Sequence, residues 1–230
     1  MEPVVVIVDG SPGTEEAEQW AAAHAKLVDA VVETHQLQDD FRAQLVVVGY
    51  QDRSGSALGL GGHVLSAVCS VACDAVVVRG TDAARHGLHG RVTALVSGGP
   101  DDSAVLIAAA GFAQRRDASL RVLHAAPPPV VRADLDEDHT WVLERSAELL
   151  RRFPHSAVLV RRQPHEAISR CLDSDLLVVG PGETRTCGSV TRAALHHAPC
   201  PVLVVHRSVQ EERHGAPSLP SPRRPVRTTV

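Results

Sequence analysis

Aromatic side chains are scarce: two Trp, one Tyr and three Phe make up 3% of the 230 residues. Single-stranded nucleic acid is gripped by stacked rings and duplexes by a basic field. With few rings and a formal net charge of −4, the chain offers neither, and no nucleic-acid partner is expected. Lysine is nearly absent: Lys26 is the sole one, so 22 of the 23 basic side chains are arginine. A Walker phosphate loop, which requires Gly-x4-Gly-Lys-[Ser/Thr], is thereby excluded. No apolar run approaches the roughly 20 residues that cross a bilayer, and Met1-Glu2-Pro3 carries no basic stretch of a secretory leader; no membrane partner is expected. The five cysteines (Cys69, Cys73, Cys171, Cys187, Cys200) are odd in number and scattered. That is no disulfide framework, and a reducing cytoplasm is the expected setting. Neither Ser11 nor Ser97 sits in a Gly-x-Ser-x-Gly elbow, and no enzyme is expected.

What the chain does have is short β-branched runs, the pattern of strands buried on both faces. Val4–Val8 is the first, ending in the turn formers Asp9-Gly10-Ser11-Pro12-Gly13. Thr14 stands where it can cap a helix whose first turn carries Glu15 and Glu16, favoured by the helix dipole. Helical pattern, with room for a break, runs to about Arg42. Leu45–Val48 is a second strand, a short helix carries Val64, Leu65, Val68 and Val71, and Ala75–Val78 is a third strand. Residues 80–90 read as a linker, and the pattern then restarts. Strands are expected at Val92–Val96, Leu120–His124, Ala157–Val160, Leu176–Val179 and Val202–Val205. Helices are expected after Asp101, over about Glu137–Phe153, near His165–Cys171, and over Ser189–His197.

Val4–Gly10 can be laid over Val92–Gly98, Leu45–Gly49 over Leu176–Gly180, and Ala72–Val78 over Pro199–Val205. This internal repeat predicts an α/β fold of two Rossmann-like units with mostly parallel sheets, packed as a pseudo-dimer. The expected division is a truncated repeat at 1–80, a linker at 81–90, a complete domain at 91–207 and a disordered, Pro- and Arg-bearing tail at 208–230. The first repeat has nothing matching Leu120–Val160, so it should lack a strand, a helix and a further strand.

The second repeat resembles the universal stress protein family from Val92 to His206. The resemblance is carried by Val96-Ser97-Gly98-Gly99-Pro100 with Ser103-Ala104, and by Gln163-Pro164-His165-Glu166-Ala167-Ile168. It is completed by Asp175–Gly180, then Gly188-Ser189-Val190, then His196–Val205. The first repeat is similar through Val8–Pro12 and Leu45–Val78. The resemblance implies a regulatory stress-response protein acting by binding, with an adenine nucleotide such as ATP as the candidate cofactor. The nucleotide would lie across the carboxyl ends of the strands. An Asp after the first strand would meet the nucleoside. A Gly-x2-Gly-x9-Gly-[Ser/Thr] loop would wrap the phosphates with backbone N–H groups at a helix start.

On that pattern the candidate binding residues of the second repeat are Ser97, Gly180, Gly182, Thr184, Gly188 and Ser189. Ser97 stands where the pattern has Asp, and Gly180 and Gly188 are only 8 apart, a loop five residues short. In the first repeat the candidates are Asp9, Gly49 and Gly62. The two glycines have the full separation of 13, but Asp52 and His63 occupy the second and last motif positions. The departures keep a second reading open, a protein-interaction module that binds no nucleotide. A third, an ATP-processing enzyme, has only Asp9 and Asp52 to offer. His196-His197-x2-Cys200 does not have the spacing of a zinc site, and Asp134–His139 lacks that of a calcium loop. Cys73 and Cys200 hold equivalent positions, so packing of the repeats through their last strands could bring them together.

Overall fold

The computed structural model of the chain describes residues 2–8, 13–36, 38–50, 68, 71–127, 139–182 and 187–206. The strands are β1 (Val4–Ile7), β2 (Val32–His35), β3 (Leu45–Gly49), β4 (Asp74–Val78), β5 (Arg91–Val96), β6 (Ser119–Ala125), β7 (His155–Val160), β8 (Leu176–Val179) and β9 (Val202–Val204). The helices are α1 (Thr14–Val28), α2 (Asp82–Arg85), α3 (Asp102–Arg115), α4 (Thr140–Leu149), α5 (Pro164–Ser169) and α6 (Ser189–His197). The strands form one sheet in the order β2-β1-β3-β4-β9-β8-β5-β6-β7. Every pairing is parallel except β4 with β9, where Ala75 faces Val204 and Val77 faces Val202. The expected α/β class with a mostly parallel sheet is what the chain adopts.

Alternation along each strand sends successive side chains to opposite faces. Val4, Val6, Val47 and Ala94 lie on the face covered by α1, α3 and α4, with Trp20, Leu106, Phe112 and Val142 packed over them. Val5, Val46, Leu95 and Leu177 lie on the other face, under Ile168 of α5 and Leu195 of α6. With both faces covered, the inner strands β1, β3, β4, β8 and β9 carry apolar residues at nearly every position, which is why they read as near-continuous aliphatic runs. No helix among the described residues is long and apolar enough to cross a membrane.

Several expectations are corrected. The first helix does not run toward Arg42. It ends at Val28, where Asp29 takes a left-handed conformation (φ 53) and returns its N–H to Ala25 O. Val32–His35 then pairs in parallel with β1, just as Ser119–Ala125 pairs with β5. The strand was hidden because it is an exposed edge with no buried side chain. Among the described residues, α4, β7 and α5, which lie between β6 and β8, have no counterpart between β2 and β3. Gly13, not Thr14, is the N-cap of α1. The 80–90 segment holds α2, capped by Thr81 Oγ1, which accepts the Ala84 N–H at 3.2 Å.

The antiparallel join also separates the two equivalent cysteines. Asp74 meets the His206 end of the ladder, its Oδ1 accepting the His206 N–H at 2.9 Å. Thr81 N donates to Pro199 O at 3.0 Å, at the other end. Cys73 and Cys200 therefore sit at opposite ends of the ladder, and both are free thiols, as is Cys171. Cys187, by contrast, is disulfide-bonded, so the thiols are not all free. The expected helix at Val64–Val71 falls largely outside the described residues, as does the tail from 207.

Candidate functional site

Five of the predicted residues come together where β5 and β8 end. Gly180 follows β8, and Thr191 Oγ1 of α6 donates to its carbonyl at 2.6 Å. The loop folds back so that Gly188 N donates to Pro181 O at 2.8 Å. Gly182 has φ +83, and a methyl there would stand 2.6 Å from Gly188 Cα. Both the backbone conformation and the close approach therefore demand glycine. Gly188 is the N-cap of α6, with no side-chain cap, and Ser189 is the first helical residue. Ser97 follows the last residue of β5. Thr184 lies outside the described residues.

The turn after β5 is already satisfied from within. Asp102, in the first turn of α3, accepts from Ser97 N at 3.0 Å and from Gly98 N at 2.7 Å. Ser97 Oγ accepts from Gly99 N at 3.2 Å. The backbone donors that such a turn would offer an anion thus face a carboxylate. A second carboxylate is near the loop itself: a methyl on Gly180 would be 2.8 Å from Asp101 Cβ and 3.4 Å from its Oδ2. The ring of Trp141, on α4, packs against Gly98.

Beside this loop is a cavity of about 250 Å³ at the carboxyl ends of β5 and β6. Its lining is predominantly apolar and includes Val96, Leu123, Ala126, Ile168 and Val190, with Ser97, His124 and His139 at its polar points. His124 is 5% exposed. Its Nδ1 lies 2.8 Å from Val96 O, which can only accept, so that nitrogen carries a proton. Nε2 lies 3.4 Å from His139 Nδ1. A mostly apolar cavity with a few fixed polar atoms is the usual form of a small-molecule site. Its position outside the carboxyl ends of parallel strands is where open α/β sheets bind ligands.

The first-repeat candidates are not placed with these. Because β4 and β9 run antiparallel, the carboxyl ends of β1 and β3 point to the end of the sheet opposite Gly180. There Gly49 is closed against the start of α1: a methyl on it would be 2.1 Å from Gly13 O. That contact leaves no room for a bound group between the two. Asp9, Asp52 and Gly62 lie outside the described residues.

The other sequence clusters do not converge. Cys200 is fully buried in the core under α6, while His197 is exposed. Burial, with the nearby charges of Cys171 and Asp175, pushes the Cys200 thiol well above its usual range. No three His, Cys, Asp or Glu side chains among the described residues are grouped to hold a metal. Sequence reasoning missed the roles of Asp101, Asp102 and His139. Acids in the first turn of a helix read as dipole partners, and nothing in the spacing shows that Asp102 turns back.

A family pattern described as "Universal stress protein family" matches residues 89–206, just over half of the chain. The sequence matches no curated protein. Among solved structures, a universal stress protein from Archaeoglobus fulgidus DSM 4304 is 15% identical, with a TM-score of 0.55 over 90% of this chain and 85% of that one. A putative universal stress protein from Pseudomonas aeruginosa UCBPP-PA14 is also 15% identical, with a TM-score of 0.54 over 89% of this chain and 82% of that one. The cytoplasmic domain of a prokaryotic cation chloride cotransporter reaches a TM-score of 0.52 at 12% identity, over 90% of this chain and 86% of that one. At these identities the likeness is one of fold, and it extends over both halves of the sheet.

Proposed function

The chain belongs to the universal stress protein family, and on that premise we propose that it is a regulatory stress-response protein that acts by binding an adenine nucleotide, not by turnover. The observation that carries this reading is the 250 Å³ apolar cavity beside the Gly180–Gly182 and Gly188–Ser189 turns. The heterocycle enters between Val96, Leu123 and Ile168, and His124 and His139 supply its polar contacts. The α6 N-terminus, with its first-turn N–H groups and positive dipole end, meets the phosphate side. Asp101 and Asp102 oppose added phosphate charge there, so a ligand with few phosphates is favoured over ATP.

We read the whole chain as a tandem repeat with a degenerate first copy. The orders β2-β1-β3-β4 and β6-β5-β8-β9 are the same, and the two copies meet at the antiparallel β4–β9 pair. Among the described residues the first copy lacks the equivalents of α4, β7 and α5, and its loop glycine is shut against α1. It serves as a built-in dimerisation partner in a cytoplasmic protein, with bounds near 1–80 and 91–207.

The test is thermal unfolding with and without AMP and ATP. Gly188→Asp puts a carboxylate at the α6 N-cap, and it should abolish the nucleotide-induced rise in Tm; an unchanged rise removes this site. Asp102 gives a specific reason for a second reading, a protein-interaction module without nucleotide, since it occupies the amides of Ser97 and Gly98. That reading predicts no shift with any nucleotide in either protein.

A further inference from the structure

The sheet has two open ends. Among the described residues β2 pairs only with β1 and β7 only with β6, so the outer row of N–H and C=O groups on each has no strand partner. Val32, Glu33 and Thr34 are consecutive exposed residues on β2, and Ser156, Ala157 and Val158 are the same on β7. Consecutive exposure means that solvent reaches both faces of the strand as well as its edge. An open strand of this kind is a template for another strand.

The charge along the two edges differs in sign. Residues 29–40, which contain β2, hold Asp29, Glu33, Asp39 and Asp40 and no Lys or Arg. Residues 150–163, which contain β7, hold Arg151, Arg152, Arg161 and Arg162 and no Asp or Glu. All of these charged side chains are exposed. Asp39 is fixed at its end of β2, where its Oδ2 accepts the Gln36 N–H at 2.7 Å. Arg162 lies 3.9 Å from Glu166, a solvent-exposed contact that does little to cancel its charge. Like charges keep two β2 edges or two β7 edges apart, the usual device against strand-to-strand association. Opposite charges lift that barrier for one pairing only, β2 against β7.

Strand direction fits the charges. Every pairing in the sheet is parallel except β4 with β9, so β2 and β7 run in opposite directions within one chain. A second copy that continues the sheet with its faces on the same sides sets its β2 antiparallel to the β7 of the first. With Val158 opposite Glu33, counting outward along both chains brings Arg162 level with Asp29. The same count brings Arg152 and Arg151 level with Asp39 and Asp40. Both ends of the joint are then complementary.

We propose that the β7 edge is a docking surface for the β2 edge of a second copy of this chain. The contact is heterologous, so each added copy presents the same two edges again, and growth is open-ended unless the rotation closes a ring. Four residues of β2 against six of β7 make a small joint. Association is therefore weak and sensitive to salt.

Sedimentation velocity of the full chain at low ionic strength should show an average mass that rises with protein concentration, and about 0.5 M NaCl should bring it back toward the monomer. Arg152→Glu with Arg162→Glu reverses the β7 edge, and Glu33→Lys with Asp40→Lys reverses the β2 edge. Each pair of changes should weaken association about tenfold or more. A chain with all four reversals again carries opposite charges on its two edges and should associate like the wild type, a recovery that damage to the fold cannot produce. A wild type that stays monomeric at low ionic strength and high micromolar concentration would overturn the proposal. So would a double variant that associates like the wild type, since the edge it alters is then not used, or a fourfold variant that does not recover.

Discussion

His24 gives a quantitative test of how the two halves are joined. It lies one helical turn after Trp20 on the buried stripe of α1 and is 4% exposed. Its ring stacks between Trp20, at 5.3 Å, and Phe112 of α3, at 4.9 Å with an interplanar angle of 8°. Burial in this stack, and then the charges of Arg116 and Arg115, lower its pKa to about 3 from the usual 6.5. The unfolded chain therefore takes up a proton below about pH 6.5 that the folded chain refuses. Stability from this group is complete above pH 6.5 and is lost as pH falls toward 3. At 1.36 kcal/mol per pH unit, moving from about pH 7.5 to about pH 5 costs about 2 kcal/mol. Urea unfolding of the wild type and of His24→Phe at the two pH values isolates the term, because every other titrating group is common to both. The wild type should lose about 2 kcal/mol more than the variant. Equal losses in the two proteins would refute the buried, neutral His24 and the α1–α3 stack that encloses it.

Three more outcomes are expected. Trp20→Ala removes the α1 end of the same stack and should cost about 3–5 kcal/mol in chemical denaturation; a loss below 1 kcal/mol would mean that the two halves do not meet there. Native alkylation followed by mass spectrometry should leave Cys171 and Cys200 unmodified near neutral pH, since burial raises both thiols and withholds the reactive thiolate. Cys73, raised to about 11 chiefly by burial and then by Asp74, should begin to react only as pH rises, and ready labelling at pH 7 would contradict its placement. Deleting residues 1–85 uncovers the β9 edge and the apolar side of α3, so the remainder should self-associate or precipitate; a well-behaved monomer by light scattering would argue against the built-in partner.

The parts of the fold that could be read from the sequence are those whose residues face apolar surroundings on both sides. β1, β3, β4, β8 and β9 are nearly unbroken Val, Leu, Ile and Ala runs, and β5 is interrupted only by the buried Thr93, because α1 and α3 cover one face and α5 and α6 the other. β2 failed that reading for the converse reason. Val32–His35 is an edge with solvent on its sides, so Glu33 and His35 are tolerated and no alternation marks it. The helix before it seemed to continue because its end is set by Asp29 in a left-handed turn, a conformation more usual for glycine or asparagine. At the candidate site, the glycines of the Gly180–Gly188 loop were legible, since close backbone approach admits few other residues. The pairing of Asp102 with the Ser97 and Gly98 amides was not, because it depends on how α3 enters after the turn. The Trp20–His24–Phe112 stack was also beyond sequence reading. Trp20 and His24 share a helix face by spacing, but Phe112 reaches them only through the antiparallel join of β4 to β9.

The central claim is that the cavity at the ends of β5 and β6 holds an adenine nucleotide. The most direct measurement is to purify the full chain, denature it, and identify any released nucleotide by chromatography and mass spectrometry, with thermal shift on the emptied protein. The account predicts an adenine nucleotide in near-stoichiometric amount, or a Tm rise with AMP that Gly188→Asp abolishes. A chain that releases nothing, and whose Tm is unmoved by millimolar AMP or by ATP with magnesium, would contradict it.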